Sequence, residues 1–291
     1  MDRKDFLRLG ILGTGVFVTG AAGRAALSNE IDELKPLEPM GFNHLPLAET
    51  PRTHQSVIHR ADTRGRAQHG WLDSRHTFSF ANYYHPERMH FGVLRVLNDD
   101  WVQAGRGFGT HPHDNMEIVS IPLEGDLEHR DSMGNVAVIR AGDIQVMSAG
   151  TGITHSEMNR RQDAPVKFLQ IWLFPNRKQV EPRYGQIALN PADRHNRLAQ
   201  ILSPSPDDAG VWVHQDAWFH LGRFDAGASA EYAVRKPGNG VYCFVVSGRF
   251  EVAGTELGPR DGMGLWDLDA FNFTAVDADS EILLMDVPMA I

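Results

Sequence analysis

From Ser56 the apolar residues of this chain fall in short runs broken by turn residues, the pattern of β-structure. Thr77-Phe-Ser-Phe-Ala-Asn-Tyr-Tyr84 alternates small or polar residues with aromatic ones and predicts a strand. Residues 91–97 predict a buried strand, and residues 117–125 a strand ending in a turn. Asp131-Ser-Met-Gly-Asn135 has the turn chemistry of a hairpin joining residues 127–130 to 136–140. Ala141-Gly-Asp143 is a further turn, strands are expected at 144–147 and 170–174, and 175–183 reads as a crossing linker. A second region echoes this order, with strands at 241–248, 249–252 and 281–286 and a turn at Gly258-Pro-Arg-Asp-Gly262. Short strands separated by glycine-containing turns indicate antiparallel barrels or jelly rolls. The expectation is an all-β protein of two tandem barrels, spanning residues 54–174 and 175–291.

At 291 residues the chain is long enough for two ordinary domains or one large β-domain. A net charge of -9 argues against the Lys and Arg grip that holds phosphate backbones, so no nucleic-acid partner is expected. The single Cys243 excludes an internal disulfide, and its Val, Tyr and Phe neighbours suit a buried, inert thiol. Residues 1–30 differ from the rest. Asp2-Arg-Lys-Asp-Phe-Leu-Arg8 precedes an apolar, glycine-rich stretch to Ala22 and then small residues to Ser28. The stretch falls short of the about 20 apolar residues a spanning helix needs, so no membrane span is expected. A charged start, a weakly apolar middle and small residues after it describe an export signal. It resembles a twin-arginine signal in which Lys4 follows Arg3, and it implies a periplasmic protein. A frayed N-terminal helix on a cytoplasmic protein is the alternative. Residues 31–53, with Pro36, Pro39 and Pro46, read as a spacer.

The chemistry concentrates in two runs, Gly107-Phe-Gly-Thr-His111-Pro-His113 and Gly150-Thr-Gly-Ile-Thr-His155-Ser-Glu157. On a strand, residues i and i+2 share a face, so each pair can aim both side chains into one cavity. Imidazoles and a carboxylate are ligands for first-row divalent metals, and three or four of them leave positions open for substrate. Glu117 follows closely enough to orient a ligand or act as a general base. His76 and His129 read as structural strand histidines, and Trp71, Phe78, Phe80 and Tyr84 as core. The second region has no such pairs, and its His214 and His220 are six apart, so only the first barrel is expected to hold metal.

These residues resemble the cupin pattern. Gly105, five residues, His111-x-His113, three residues and Glu117 reproduce the first cupin motif, with Gly125 beyond. Gly142 and Gly150 fit the second motif, but Ser148 stands in place of proline and His155 comes two positions late, with Asn159 near its end. That shift, together with Gly70-Trp-Leu-Asp-Ser-Arg-His-Thr-Phe-Ser-Phe80 and His155-Ser-Glu157, resembles the pirin family over about residues 54–288. Its bacterial quercetin 2,3-dioxygenase-like bicupins are the best match. The resemblance implies two tandem cupin (jelly-roll) barrels with one divalent metal in the N-terminal one. Fe(II) is the first choice, with Mn, Ni, Co or Zn as alternatives. It implies His111, His113, His155 and Glu157 as ligands, whereas the ordinary cupin pattern would use Glu117. Glu157 and Glu117 are the two candidates for the catalytic carboxylate.

The activity so implied is a metal-dependent dioxygenase that cleaves flavonols such as quercetin, with a small aromatic substrate and O2 as partners. The rival from another class is a non-enzymatic, iron-binding redox or metal sensor acting through a protein partner. A metal-dependent isomerase or hydrolase is a third reading, since a fold does not fix chemistry. The sequence does not set the oligomeric state, and a monomer is compatible with it. The export expectation has its own test. A reporter that must fold before export, fused behind residues 1–30, should leave the cytoplasm, and Arg3→Gln with Lys4→Gln should retain it. A native fusion that stays inside, measured by cell fractionation, rejects the signal.

Overall fold

A computed structural model describes residues 54–291, so the expected export signal at 1–30 and the spacer at 31–53 lie outside the described residues. Among the described residues 22 strands run in chain order. The first twelve are β1 (Gln55–His59), β2 (Gly65–Gln68), β3 (Leu72–His76), β4 (Leu94–Val102), β5 (Gly107–His113), β6 (Glu117–Glu124), β7 (Asp126–Asp131), β8 (Val136–Arg140), β9 (Asp143–Ser148), β10 (Ile153–Asn159), β11 (Val166–Leu173) and β12 (Arg183–Ala188). The remainder are β13 (Leu198–Ser203), β14 (Val211–Trp212), β15 (Trp218–Phe224), β16 (Ser229–Ala233), β17 (Asn239–Ser247), β18 (Phe250–Val252), β19 (Thr255–Leu257), β20 (Gly262–Trp266), β21 (Ala270–Ala275) and β22 (Ser280–Pro288).

Two seven-stranded sheets have the orders β12-β9-β6-β11-β4-β3-β2 and β1-β20-β17-β22-β15-β13-β14. Two four-stranded sheets have the orders β5-β10-β7-β8 and β16-β21-β18-β19. From β4–β11 to β15–β22 the orders correspond strand for strand, so the second half repeats the first, while the edge pair β13-β14 is parallel where β2-β3 is antiparallel. Two strands cross the expected boundary at residue 174. β1 edges the second large sheet and β12, which the sequence did not signal, edges the first. Each pairs a sheet edge that would otherwise present a row of open N–H and C=O groups.

The central strands of the large sheets, β6, β11, β17 and β22, are buried on both faces. Val119, Ile121, Val146, Leu169 and Ile171 of the first sheet meet Phe219, Leu221, Phe244, Leu283 and Met285 of the second in one apolar core between the barrels. The alternate residues face the barrel interiors, and there the two halves diverge. The second barrel is filled by one apolar cluster that includes Tyr232, Cys243, Phe250, Phe271 and Phe273. The first has two smaller clusters, one around Leu127, Ile139 and Phe168 and another around Ile118, Met147 and Ile153. Between them along the strands lies a polar row of successive cross-strand partners: Gln145, Ser120, Gln170, Asn98 and His76. All five are buried.

The strand expected over residues 77–84 is instead a turn. β3 ends at His76, Ala81 has a φ of 50°, and Phe80 and Tyr83 exchange both backbone hydrogen bonds. The aromatic alternation there has a different cause. Phe78 enters the core between the barrels, Phe80 stands edge-on to Trp172 at 5.4 Å, and Tyr84, expected in the core, is 73% exposed beyond the turn.

Because one core serves both barrels, they should unfold together. Phe219→Ala should cost about 3–5 kcal/mol, the range for truncating a fully buried aromatic residue. Urea denaturation followed by circular dichroism should show one transition moved to lower denaturant. Two separated transitions would show that the barrels stand independently.

Candidate metal centre

β5 and β10 are antiparallel neighbours, with His111 opposite His155 and His113 opposite Ile153. Below this pair the register slips, so that Phe108 lies opposite Glu157 and three steps on β5 match two on β10. Such a bulge re-aims side chains. In a regular strand Phe108 and His111, three apart, would face opposite sides. With the bulge, Phe108 packs on Trp71 and Phe168, at 5.5 and 6.5 Å between ring centroids, while His111 and His113 still meet His155. Gly150, in the turn entering β10, has a φ of 49°, and a Cβ there would lie 2.0 Å from the Val180 carbonyl oxygen. No side chain fits that position.

The three imidazoles form a tight triangle. Ring centroids are 4.8 Å apart for His111 and His113, 4.5 Å for His111 and His155, and 4.9 Å for His113 and His155. One nitrogen from each can be chosen so that all lie within 4.8 Å of one another. The Nδ1–H of His111 donates to the Gly109 carbonyl at 2.8 Å, so in the neutral ring its Nε2 is the nitrogen with the lone pair. Burial, then the neighbouring His111, holds His113 down at about 3. Burial, then its three neighbouring imidazoles, holds His155 at about 2. At neutral pH His113 and His155 are therefore uncharged, the form that binds metal. The Nε2 atoms of His113 and His155 are buried without a protein partner. Three converging imidazoles of this kind fit a divalent transition metal by both geometry and donor type.

The family model described as Pirin matches residues 58–173, and the one described as Quercetinase C-terminal cupin domain matches residues 200–287. A quercetin 2,3-dioxygenase of Escherichia coli (strain K12) is 44% identical over 231 residues, which cover 79% of this chain and 98% of the relative. The chain belongs to the pirin family. A pirin-like protein of Caulobacter vibrioides is 38% identical over 226 residues, 77% of this chain and 96% of that one. Among solved structures, the bacterial pirin YhhW of Escherichia coli in complex with nickel(II) is 42% identical. It aligns with a TM-score of 0.76 over 80% of this chain and 99% of that one. Two tandem cupin barrels are thus the architecture of this pirin.

Of the residues singled out in the sequence, His111, His113 and His155 come together. Glu157 shares the inward face of β10 with His155 but is not part of the three-histidine group. Its Oε1 accepts from Ser120 Oγ and its Oε2 from Gln170 Nε2, both at 2.9 Å. Burial pushes its carboxyl up to about 7, against those two hydrogen bonds. Glu117 faces the other way. Its β6 neighbours Ile118 and Ser120 look into the barrel, so Glu117 and Val119 look toward the second barrel. There Glu117 accepts from Ser148 Oγ at 2.7 Å, and burial raises it to about 7. The sheet itself separates it from the histidines, so a place for Glu117 beside the metal does not hold.

Several contributors were not foreseen. Ser120 and Gln170 hold Glu157, Trp172 stands edge-on to His113 at 4.9 Å, and His129, expected to be structural, reaches His155. In the second barrel, β16 and β21 occupy the places of β5 and β10, and their inward positions are Ala230, Tyr232, Phe271 and Phe273. His220 bonds Tyr232 there, while His214 packs on Trp212.

Metal content measured after desalting separates these roles. His111→Ala and His155→Ala should each weaken binding beyond the roughly 10–100-fold that an outer-shell change costs. Glu117→Gln should leave metal content unchanged, and Glu157→Gln should lower it. Equal losses from both glutamate variants would contradict the separation by the sheet.

Proposed function

We propose that this pirin is a metal-dependent dioxygenase that cleaves flavonols such as quercetin with O2. The observation that carries the proposal is the triangle of His111, His113 and His155, with the Nε2 atoms of His113 and His155 buried without a protein partner, in a chain whose relative of 44% identity is named quercetin 2,3-dioxygenase. His111, His113 and His155 would hold the ion, with Glu157 as the fourth ligand. Fe(II) is the proposed metal. When bound, it would supply Lewis-acid polarisation of an enolic hydroxyl and redox access to O2.

The remaining work falls to the chain's own groups. Glu157 is the carboxylate on the histidines' side of the sheet, and once ionised it is the group placed to take up a hydroxyl proton. Ser120 and Gln170 fix both of its oxygens, so its direction is set before substrate arrives. Trp172, between His113 and Phe80, offers an aromatic wall on which a flat substrate can stack. The barrel around these groups limits water beside a reactive intermediate.

Iron-loaded protein should consume oxygen with quercetin and bleach its visible absorbance, because ring cleavage breaks the conjugation. His155→Ala should be inactive while retaining its circular dichroism spectrum. Chelation should abolish the activity and added metal restore it. Well-metallated protein that binds flavonols without oxygen uptake above that of free metal ions would falsify the assignment and favour a sensor.

A further inference from the structure

The hairpin turn Asp131-Ser-Met-Gly-Asn135 does more than join β7 to β8. Asp131 Oδ1 accepts from the backbone N–H groups of Met133 and Asn135, both at 3.0 Å. Its Oδ2 accepts from Asn135 Nδ2 at 2.8 Å and meets His129 Nε2 at 3.0 Å. The side chains of Asp131 and His129 are both fully buried. On the far side of the ring, His129 Nδ1 lies 3.5 Å from Nδ1 of His155, at the long end of the hydrogen-bond range. The Tyr184 ring packs against His129 at 4.9 Å, and its hydroxyl is used on Gln186, so it does not compete for the imidazole.

The direction of each hydrogen bond follows from what each atom can do. A carboxylate oxygen only accepts, so His129 Nε2 carries the proton. In a neutral imidazole the other nitrogen then holds a lone pair, so His129 Nδ1 accepts. The only arrangement that avoids two facing lone pairs in this dry contact makes His155 Nδ1 the donor. His155 Nε2 is then the lone-pair nitrogen, and it is the atom buried without a protein partner beside His111 and His113. The opposite tautomer would put an N–H into the middle of the triangle.

We infer that Asp131 and His129 form a positioning relay that locks the His155 imidazole, by tautomer and by orientation, with its Nε2 lone pair toward the metal. The hairpin turn sets the carboxylate, the carboxylate sets His129, and His129 sets the ligand. The inference rests on the metal-centre reading of the three histidines. It assigns work to two residues outside the ligand set, and it explains why a tight turn carries a fully buried aspartate.

The test uses the full chain, nickel(II) as probe and three variants. His129→Phe keeps the ring packing on Tyr184 but removes both polar atoms. Asp131→Asn offers a donor where the relay needs an acceptor. His129→Gln keeps a donor and an acceptor. Nickel affinity, measured by chelator competition at fixed pH, should fall roughly 10–100-fold in His129→Phe and Asp131→Asn, and stay within about threefold of wild type in His129→Gln. Long-range 1H–15N spectra of the metal-free wild type should show His155 Nδ1 as pyrrole-type and Nε2 as pyridine-type. This measurement stands even if a variant fails to fold. The relay is overturned by the reverse tautomer, by unaltered affinity in His129→Phe, or by equal losses in the Phe and Gln variants. A wild type that binds no nickel would overturn the metal centre instead.

Discussion

Two large sheets whose central strands are buried on both faces impose the constraint on which everything else depends. Along β4, β6, β9 and β11, successive side chains go alternately to the core between the barrels and to the interior of the first barrel. A slip of one residue on any of them would send its polar set into the shared apolar core and its apolar set into the metal-site interior. Register is therefore strongly specified. It also decides chemistry. Glu117 and Ser120 are three apart on β6, so they fall on opposite faces, and Ser120 rather than Glu117 supports the histidine side.

The same constraint shows how one barrel can carry a polar interior. Buried polar groups cost free energy unless they are partnered, and the row Gln145, Ser120, Gln170, Asn98 and His76 interrupts the apolar filling of the first barrel. The second barrel fills the corresponding space with Tyr232, Phe250, Phe271 and Phe273. Apolar burial there, and in the core that both barrels share, offsets the weaker filling of the first. The second barrel thus has a physical role in supporting the first.

The sequence made the duplication, the hairpin at residues 131–135 and the convergence of His111, His113 and His155 legible, because each depends on local spacing in strands. It misled where alternation came from a turn, as at Phe78 and Phe80. It was silent on β12, which pairs with β9 across a long separation in sequence. Glu117 was misplaced because motif spacing carries no information about the face its strand presents. His129 was within reach. His129 and Asp131 are two apart, the same spacing that singled out the other pairs, but the aspartate was read only as a turn residue. What linked the two roles was the register of β7 against β10, which sets Asp131 opposite His155 and His129 opposite Glu157.

Electrostatics then favour a cation at the triangle. Burial raises Asp100 and Glu157 to about 7, and the Glu157 carboxylate in the same interior raises Asp100 further. Without a compensating positive charge, that interior pushes its carboxyls toward the neutral form and its imidazoles toward the uncharged form. Such a chamber resists both kinds of side-chain charge, yet it presents the lone pairs that a divalent ion requires. An ion held by His111, His113 and His155 would lower the cost of ionising Glu157, two residues along the same strand face, and so would couple its own binding to release of that proton. The burial that makes this site expensive for an isolated carboxylate would make metal and carboxylate bind in concert. The sheet keeps Glu117, raised by burial on its other face, outside that coupling.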